Sequence, residues 1–186
     1  MKNLTLLIAS LFLTVASFAQ EKYLTKSGTI DFEASVPAFE EVKAKNSSVT
    51  AVLVTNGEKA GDFASLALMK GFRFKVALME EHFNENYMDS DNYPKATMKG
   101  KIADFDISQL SGSKEYQFTG TLTLHGKSKE ITTPVTLTKD GDSIKLTSNF
   151  SVTPEEFDIE IPSVVRKKVA DGVDVSVDFD LALQGS

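Results

Sequence analysis

The run Val173-Asp174-Val175-Ser176-Val177-Asp178-Phe179-Asp180-Leu181-Ala182-Leu183 alternates apolar and polar side chains with a period of two. Successive side chains of a strand point to opposite faces, so this stretch has one buried and one wet face. The same period returns upstream. Tyr116, Phe118, Gly120, Leu122 and Leu124 alternate with Gln117, Thr119, Thr121, Thr123 and His125. Ile144, Leu146, Phe150 and Val152 share a face, and Ile30 and Phe32 face away from Asp31 and Glu33.

Punctuation between these runs is hairpin chemistry. Asn56-Gly57 and Asp140-Gly141 suit type I′ turns, which need positive φ at both central residues. Ser111-Gly112-Ser113 and His125-Gly126 mark two more reversals. Strands are predicted near 25–35, 48–55, 62–68, 72–76, 95–105, 115–125, 128–138, 143–152 and 172–183. Long strands joined by tight turns, each with one apolar face, predict an all-β antiparallel meander with one or two short helices, and favour its closure into a barrel. A two-sheet sandwich is the alternative. Its immunoglobulin form is disfavoured by the lack of tryptophan and cysteine.

Two segments break the period. Between Phe72-x-Phe74-x-Val76 and Ala96-x-Met98-x-Gly100, the residues Met79, Phe83 and Tyr87 fall four apart, as one stripe of a helix over 77–88. That helix is too short to stand alone and must dock on the sheet. Further on, Ser163 is placed to cap a short helix that Gly172 ends.

Lys2, the apolar run Leu4–Val15 and Ser17-Phe18-Ala19 read as a cleaved signal peptide, residues 1–19, cut after Ala19. The remainder, 20–186, reads as one domain in the periplasm or secreted medium. The absence of cysteine excludes disulfides, thiolate metal sites and thiol catalysis. A formal charge of −6 without basic blocks, and only two arginines, disfavour nucleic acid and bidentate phosphate recognition.

Several motifs are weighed against structural roles. His82 and Glu85 share a helix face, yet a metal needs three or four ligands and the other histidine, His125, sits in a hairpin. Asp89-Ser90-Asp91-Asn92-Tyr93 starts like a calcium loop, but Pro94 stands where that loop needs glycine, so it reads as a turn. Asn46-Ser47-Ser48 fits a glycosylation acceptor. Arg166-Lys167-Lys168 reads as solvated surface, with contact to a phosphate or membrane surface as the sharper alternative. Arg73, between two phenylalanines of one face, should point outward.

The ordered set Phe72-x-Phe74, Met79-x-x-His82-Phe83, Asp91-x-Tyr93-Pro94 and Met98-x-Gly100 resembles the signature region of the YceI-like family. Gly120-x-Leu122-x-Leu124-His125-Gly126 with Lys129, and Phe157-Asp158-Ile159-x-Ile161-Pro162, resemble its later segments. The resemblance spans Thr25 to Leu183, with Met98 where the family usually has phenylalanine. It implies a lipocalin-like eight-stranded antiparallel β-barrel, exported, holding a long apolar ligand of polyisoprenoid type, with His82 on the helix that borders the cavity.

A barrel of eight strands has an interior either filled by side chains or able to hold one ligand. Thirteen phenylalanines without tryptophan would line it with no N–H to satisfy. The leading expectation is a lipid-binding protein. Its candidate lining is Phe72, Phe74, Leu78, Phe83, Met98, Phe118, Leu122, Phe150 and Phe179, with His82 and Tyr93 at the mouth. No cofactor, metal or catalytic residue is expected, no membrane-spanning helix, and a homodimer is left open. A filled structural barrel, a small outer-membrane barrel with its apolar face outward, and an enzyme using His82 are the competing readings.

Overall fold

The computed structural model describes residues 21–37, 39–55 and 59–185. The segment read as a signal peptide and the turn anticipated at Asn56-Gly57 lie outside them. Nine strands form one antiparallel sheet: β1 (Glu21–Ser35), β2 (Lys43–Thr55), β3 (Ala60–Leu68), β4 (Arg73–Phe74), β5 (Lys95–Ala103), β6 (Ser113–Leu124), β7 (Lys127–Asp140), β8 (Ser143–Val152) and β9 (Val169–Leu183). Their order is β1-β9-β8-β7-β6-β5-β3-β2-β4, and β1 also pairs with β2. That pairing closes eight strands into a lipocalin-like barrel, as the resemblance implies. The ninth, β4, is a two-residue rung, Ala44 to Phe74 and Lys45 to Arg73, hung outside the circle.

The apolar face points inward. Val177, Phe179 and Leu181 of β9 are buried while Asp174, Asp178 and Asp180 are exposed. The outer face carries ion pairs such as Lys145 to Asp178, Lys45 to Asp31 and Lys101 to Asp62. Such a face has no apolar band to offer a bilayer, which counts against an outer-membrane barrel.

Two expectations need correction. The turn between β7 and β8 is Gly141-Asp142, because Asp140 pairs with Ser143 and positive φ falls on Gly141 alone. Among the described residues, only His125-Gly126, with φ of 49° and 73°, has the paired positive angles of a type I′ hairpin. The second helix is a single tight turn, Arg166–Lys168, that Ser163 does not cap. Val169 already pairs with Ser35, and Val173 with Val152, so ladder formation overrides local helix propensity and Gly172 lies within β9.

Where the chain leaves β3 to build the helical excursion, it is pinned by Asn46. This side chain is 0% exposed; its Nδ2 donates to the Leu68 carbonyl at 3.0 Å and its Oδ1 accepts from the Ser48 N–H at 2.9 Å. It lies so close to Gly71 that a Cβ there would sit 2.6 Å from Nδ2. A side chain so buried and bonded is no glycan acceptor in the folded protein. Asn46→Ala leaves the Leu68 carbonyl unpaired and is expected to cost about 1–3 kcal/mol in chemical denaturation. An unchanged midpoint would contradict the pinning role.

Candidate functional site

The barrel has two unlike halves. Toward the end that carries the β5–β6 connection, Leu53, Ile102, Leu137, Ile144 and Leu181 fill the interior, and Phe105 and Leu110 from that connection plug it. Gly61 shows how tightly: a Cβ there would lie 2.8 Å from both Leu53 and Phe105. Toward the other end, the interior opens into an apolar cavity of about 360 Å³, within the size range of small-molecule sites.

Three rings form the boundary. Phe63 meets Phe118 edge-on at 5.8 Å and lies over Phe179 at 6.0 Å. Glycines make room for them. A Cβ on Gly28 would stand 2.4 Å from Phe179, and one on Gly100 or Gly120 would stand 2.8 Å or 2.6 Å from Phe118. Above these rings, the wall is lined by Ala67 and Ala96 facing each other across β3 and β5, by Met98 and Leu122, and by Val173, Val175 and Val177 of β9.

The helical excursion forms the rim. Helix α1 (Ala77–His82) continues into a wider turn over Phe83–Tyr87, where the Met88 N–H donates to the Phe83 carbonyl five residues back at 2.9 Å. Met79, Phe83 and Tyr87 thereby turn toward the cavity. Helix α1 itself buries no residue. An aromatic cluster holds the excursion instead: Phe32 lies 5.4–5.7 Å from Phe72, Phe74 and Phe83, and Phe74 lies 5.2 Å from Phe83. Arg73 points outward and donates to Glu80 at 2.7 Å.

One stretch of wall lacks a backbone ladder. Pairing of β7 with β8 runs from Asp140–Ser143 to Thr136–Thr147 and stops. The next residue of β7 on that edge is Pro134, which has no N–H to give. Ser148 Oγ donates to the Pro134 carbonyl at 2.6 Å instead, and Thr133 Oγ1 reaches the Asn149 carbonyl at 3.4 Å. Both hydroxyls line the cavity, 3% and 7% exposed for Thr133 and Ser148, and their bonds are spent on the wall. No buried side-chain nitrogen or oxygen among the described residues lacks a partner.

Residues 153–161 cover this seam, burying Pro154, Phe157 and Ile159. His125 Nδ1 donates to the Phe157 carbonyl at 3.0 Å. Lys127 pairs with Asp158 at 2.7 Å. That ammonium holds the Asp158 carboxyl below its ordinary value, and Asp158 in turn raises Lys127. Arg166 bonds Glu155 and pairs with Asp171 at 2.9 Å, which lowers the Glu155 carboxyl. The basic cluster is therefore divided: Arg166 is engaged in these pairs, while Lys168 lines the cavity mouth opposite in charge to Glu40.

Nine of the residues anticipated for the site line the cavity: Phe72, Phe74, His82, Phe83, Met98, Phe118, Leu122, Phe150 and Phe179. Two do not. Leu78 is 57% exposed, because it sits one position off the Met79–Phe83 stripe and a helix turns about 100° per residue. Tyr93 packs edge-on against His125 at 4.5 Å, over Gly126, and ties the excursion to the β6–β7 hairpin outside the cavity. His82 lies exposed at the mouth. Phe32 and Phe63 line the cavity as well and were missed, although Phe32 stands between Asp31 and Glu33; Phe63, between Asp62 and Ala64, gives a weaker signal. The acidic stretch at 89–93 is a turn, with the Asn92 and Tyr93 N–H groups donating to the Asp89 carbonyl. Among the described residues, no group of three metal-type side chains gathers.

A closed antiparallel barrel, filled at one end and hollow at the other beneath a helical rim, is the class this geometry defines. The YceI-like domain model matches residues 22–181, and the chain belongs to that family. No curated protein matches it by sequence. Among solved structures it is similar to BcnA of Burkholderia cenocepacia, at 19% identity over 83% of this chain and 96% of that one, TM-score 0.69. It is also similar to a polyisoprenoid binding domain from Saccharophagus degradans implicated in plant cell wall breakdown, at 12% identity over 88% and 98%, TM-score 0.72. The YceI protein of Campylobacter jejuni matches at 15% identity over 81% and 90%, TM-score 0.58.

Asp158→Asn keeps a side chain suited to the left-handed φ of 55° while removing the charge. A carboxyl lowered by folding adds stability above its unfolded pKa, about 3.9, and loses it as pH falls through the folded value. The variant is expected to unfold at lower denaturant than wild type at neutral pH, and at the same denaturant once both are well below the carboxylate range. A gap independent of pH would refute the assignment.

Proposed function

We propose that the protein binds a long apolar lipid of polyisoprenoid type in the hollow half of the barrel and carries or sequesters it outside the cytoplasm. The observation that carries this reading is the cavity: about 360 Å³, walled by phenylalanine, methionine, valine and alanine, with its charged groups confined to the mouth. Burial of an alkyl or isoprenyl chain there is worth about 0.8 kcal/mol per methylene. Its buried hydroxyls, on Thr133 and Ser148, are engaged with wall carbonyls, and the other hydroxyls of the lining are those of Ser65 and Thr97.

The family and the Saccharophagus domain's described ligand support the same class. The reading of residues 1–19 as a leader supports export. The non-enzymatic reading rests on the site's composition: His82 stands at an exposed rim, without the partnered base or nucleophile that proton transfer needs.

Solvent extraction of the purified protein followed by mass spectrometry is expected to release an isoprenoid or other long-chain lipid. Ala96→Phe places a ring in the hollow half opposite Ala67. Displacing about two methylenes of ligand, it is expected to weaken uptake of a fluorescent isoprenoid roughly tenfold or more. An empty extract together with no uptake by wild type would overturn the reading.

A further inference from the structure

Resting on that reading, we propose that Phe63, Phe118 and Phe179 form a ruler, a rigid floor that sets the longest apolar chain the barrel accepts. The chain enters tail first. The charged lining groups, Glu40 and Lys168, belong to the connections at the mouth, as does His82, so a polar head stays there and the tail runs down to the rings.

The floor is fixed from three sides. Gly28 on β1 gives Phe179 its place, and Gly100 and Gly120, paired with each other across β5 and β6, give Phe118 its place. Phe63 holds the two rings together through an edge contact and a stacked contact. Beneath it the packing is close: Leu53 and Phe105 stand 2.8 Å from where a Cβ on Gly61 would be, so a chain end pressing past the rings meets occupied space.

The depth above the floor follows from strand geometry. From Phe63 to Leu68 at the top of β3 is five residues, about 17 Å along a strand and about 13 Å along the axis of a tilted barrel. A chain longer than this depth must fold back or protrude. The units beyond the limit then gain no burial.

The test uses full-length mature protein and graded series of linear isoprenols and of n-alkanols, each competed against the apolar dye phenylnaphthylamine. Wild-type affinity is expected to rise by about fourfold per methylene up to a cut-off and then stop rising. Phe63→Leu and Phe118→Leu should move the cut-off to longer chains. Ser65→Phe, one inward position above Phe63 on β3, should move it to shorter ones. Circular dichroism and denaturation midpoints identify variants that fold, and the upward and downward substitutions are independent. Folded variants that keep the wild-type cut-off would overturn the ruler while leaving lipid binding intact. A wild-type protein that takes up no member of either series would overturn the proposed function and the ruler with it.

Discussion

Closure of β1 onto β2 is the constraint on which the rest of the molecule depends. Once eight strands share one circumference, every second side chain is committed to an interior of fixed radius, about what those side chains can fill. What the interior becomes is then decided by volume at each level. Where leucine, isoleucine and phenylalanine face one another it is solid. Where alanine, serine and valine face one another it is hollow. The glycines are the inverse of the rings they face. Gly28, Gly100 and Gly120 matter through what they omit, since any Cβ at these positions would collide with Phe179 or Phe118.

The rim is built on a different principle. Helix α1 buries nothing of its own and stays in place through Phe83, the Phe32–Phe72–Phe74 cluster and the Tyr93–His125 contact. Its attachment is therefore lateral, to the edge of the opening. The seam cover is tied by exposed ion pairs, each of modest strength in water, together with the His125 bond and the burial of Phe157 and Ile159. Of the largest fully buried side chains, Leu53, Ile102, Phe105, Leu137, Ile144 and Leu181 pack the filled half, while Met69, Phe118, Leu146 and Phe179 belong to the cavity wall and its floor.

The sequence made the barrel legible because alternation survives in every long strand and most turns carry their glycine. It was less clear where local signals compete with pairing. The 72–76 stretch alternates like a barrel strand, yet only Arg73 and Phe74 find partners, between a tight turn over Met69–Gly71 and the helix that starts at Ala77. Ser163 and Gly172 look like helix ends and lost to the ladders of β9. Most of the lining could be read from phenylalanines on inward positions. Leu78 and Tyr93 could not be sorted, because a helix phase and a ring-on-ring contact depend on docking angle. Whether the interior was solid or hollow was beyond periodicity, which records direction and not volume.

Pro134 has a consequence of its own. By lacking one hydrogen on the β8 side of its strand, it ends the ladder just above the level where the barrel becomes hollow. Below it the perimeter of the wall is set by backbone hydrogen bonds and is inextensible. Above it, between β7 and β8, the perimeter is set by two hydroxyls and a covering loop. Widening the upper half along that line breaks no β7–β8 ladder bond, so the circumference of the container is soft while its depth is hard.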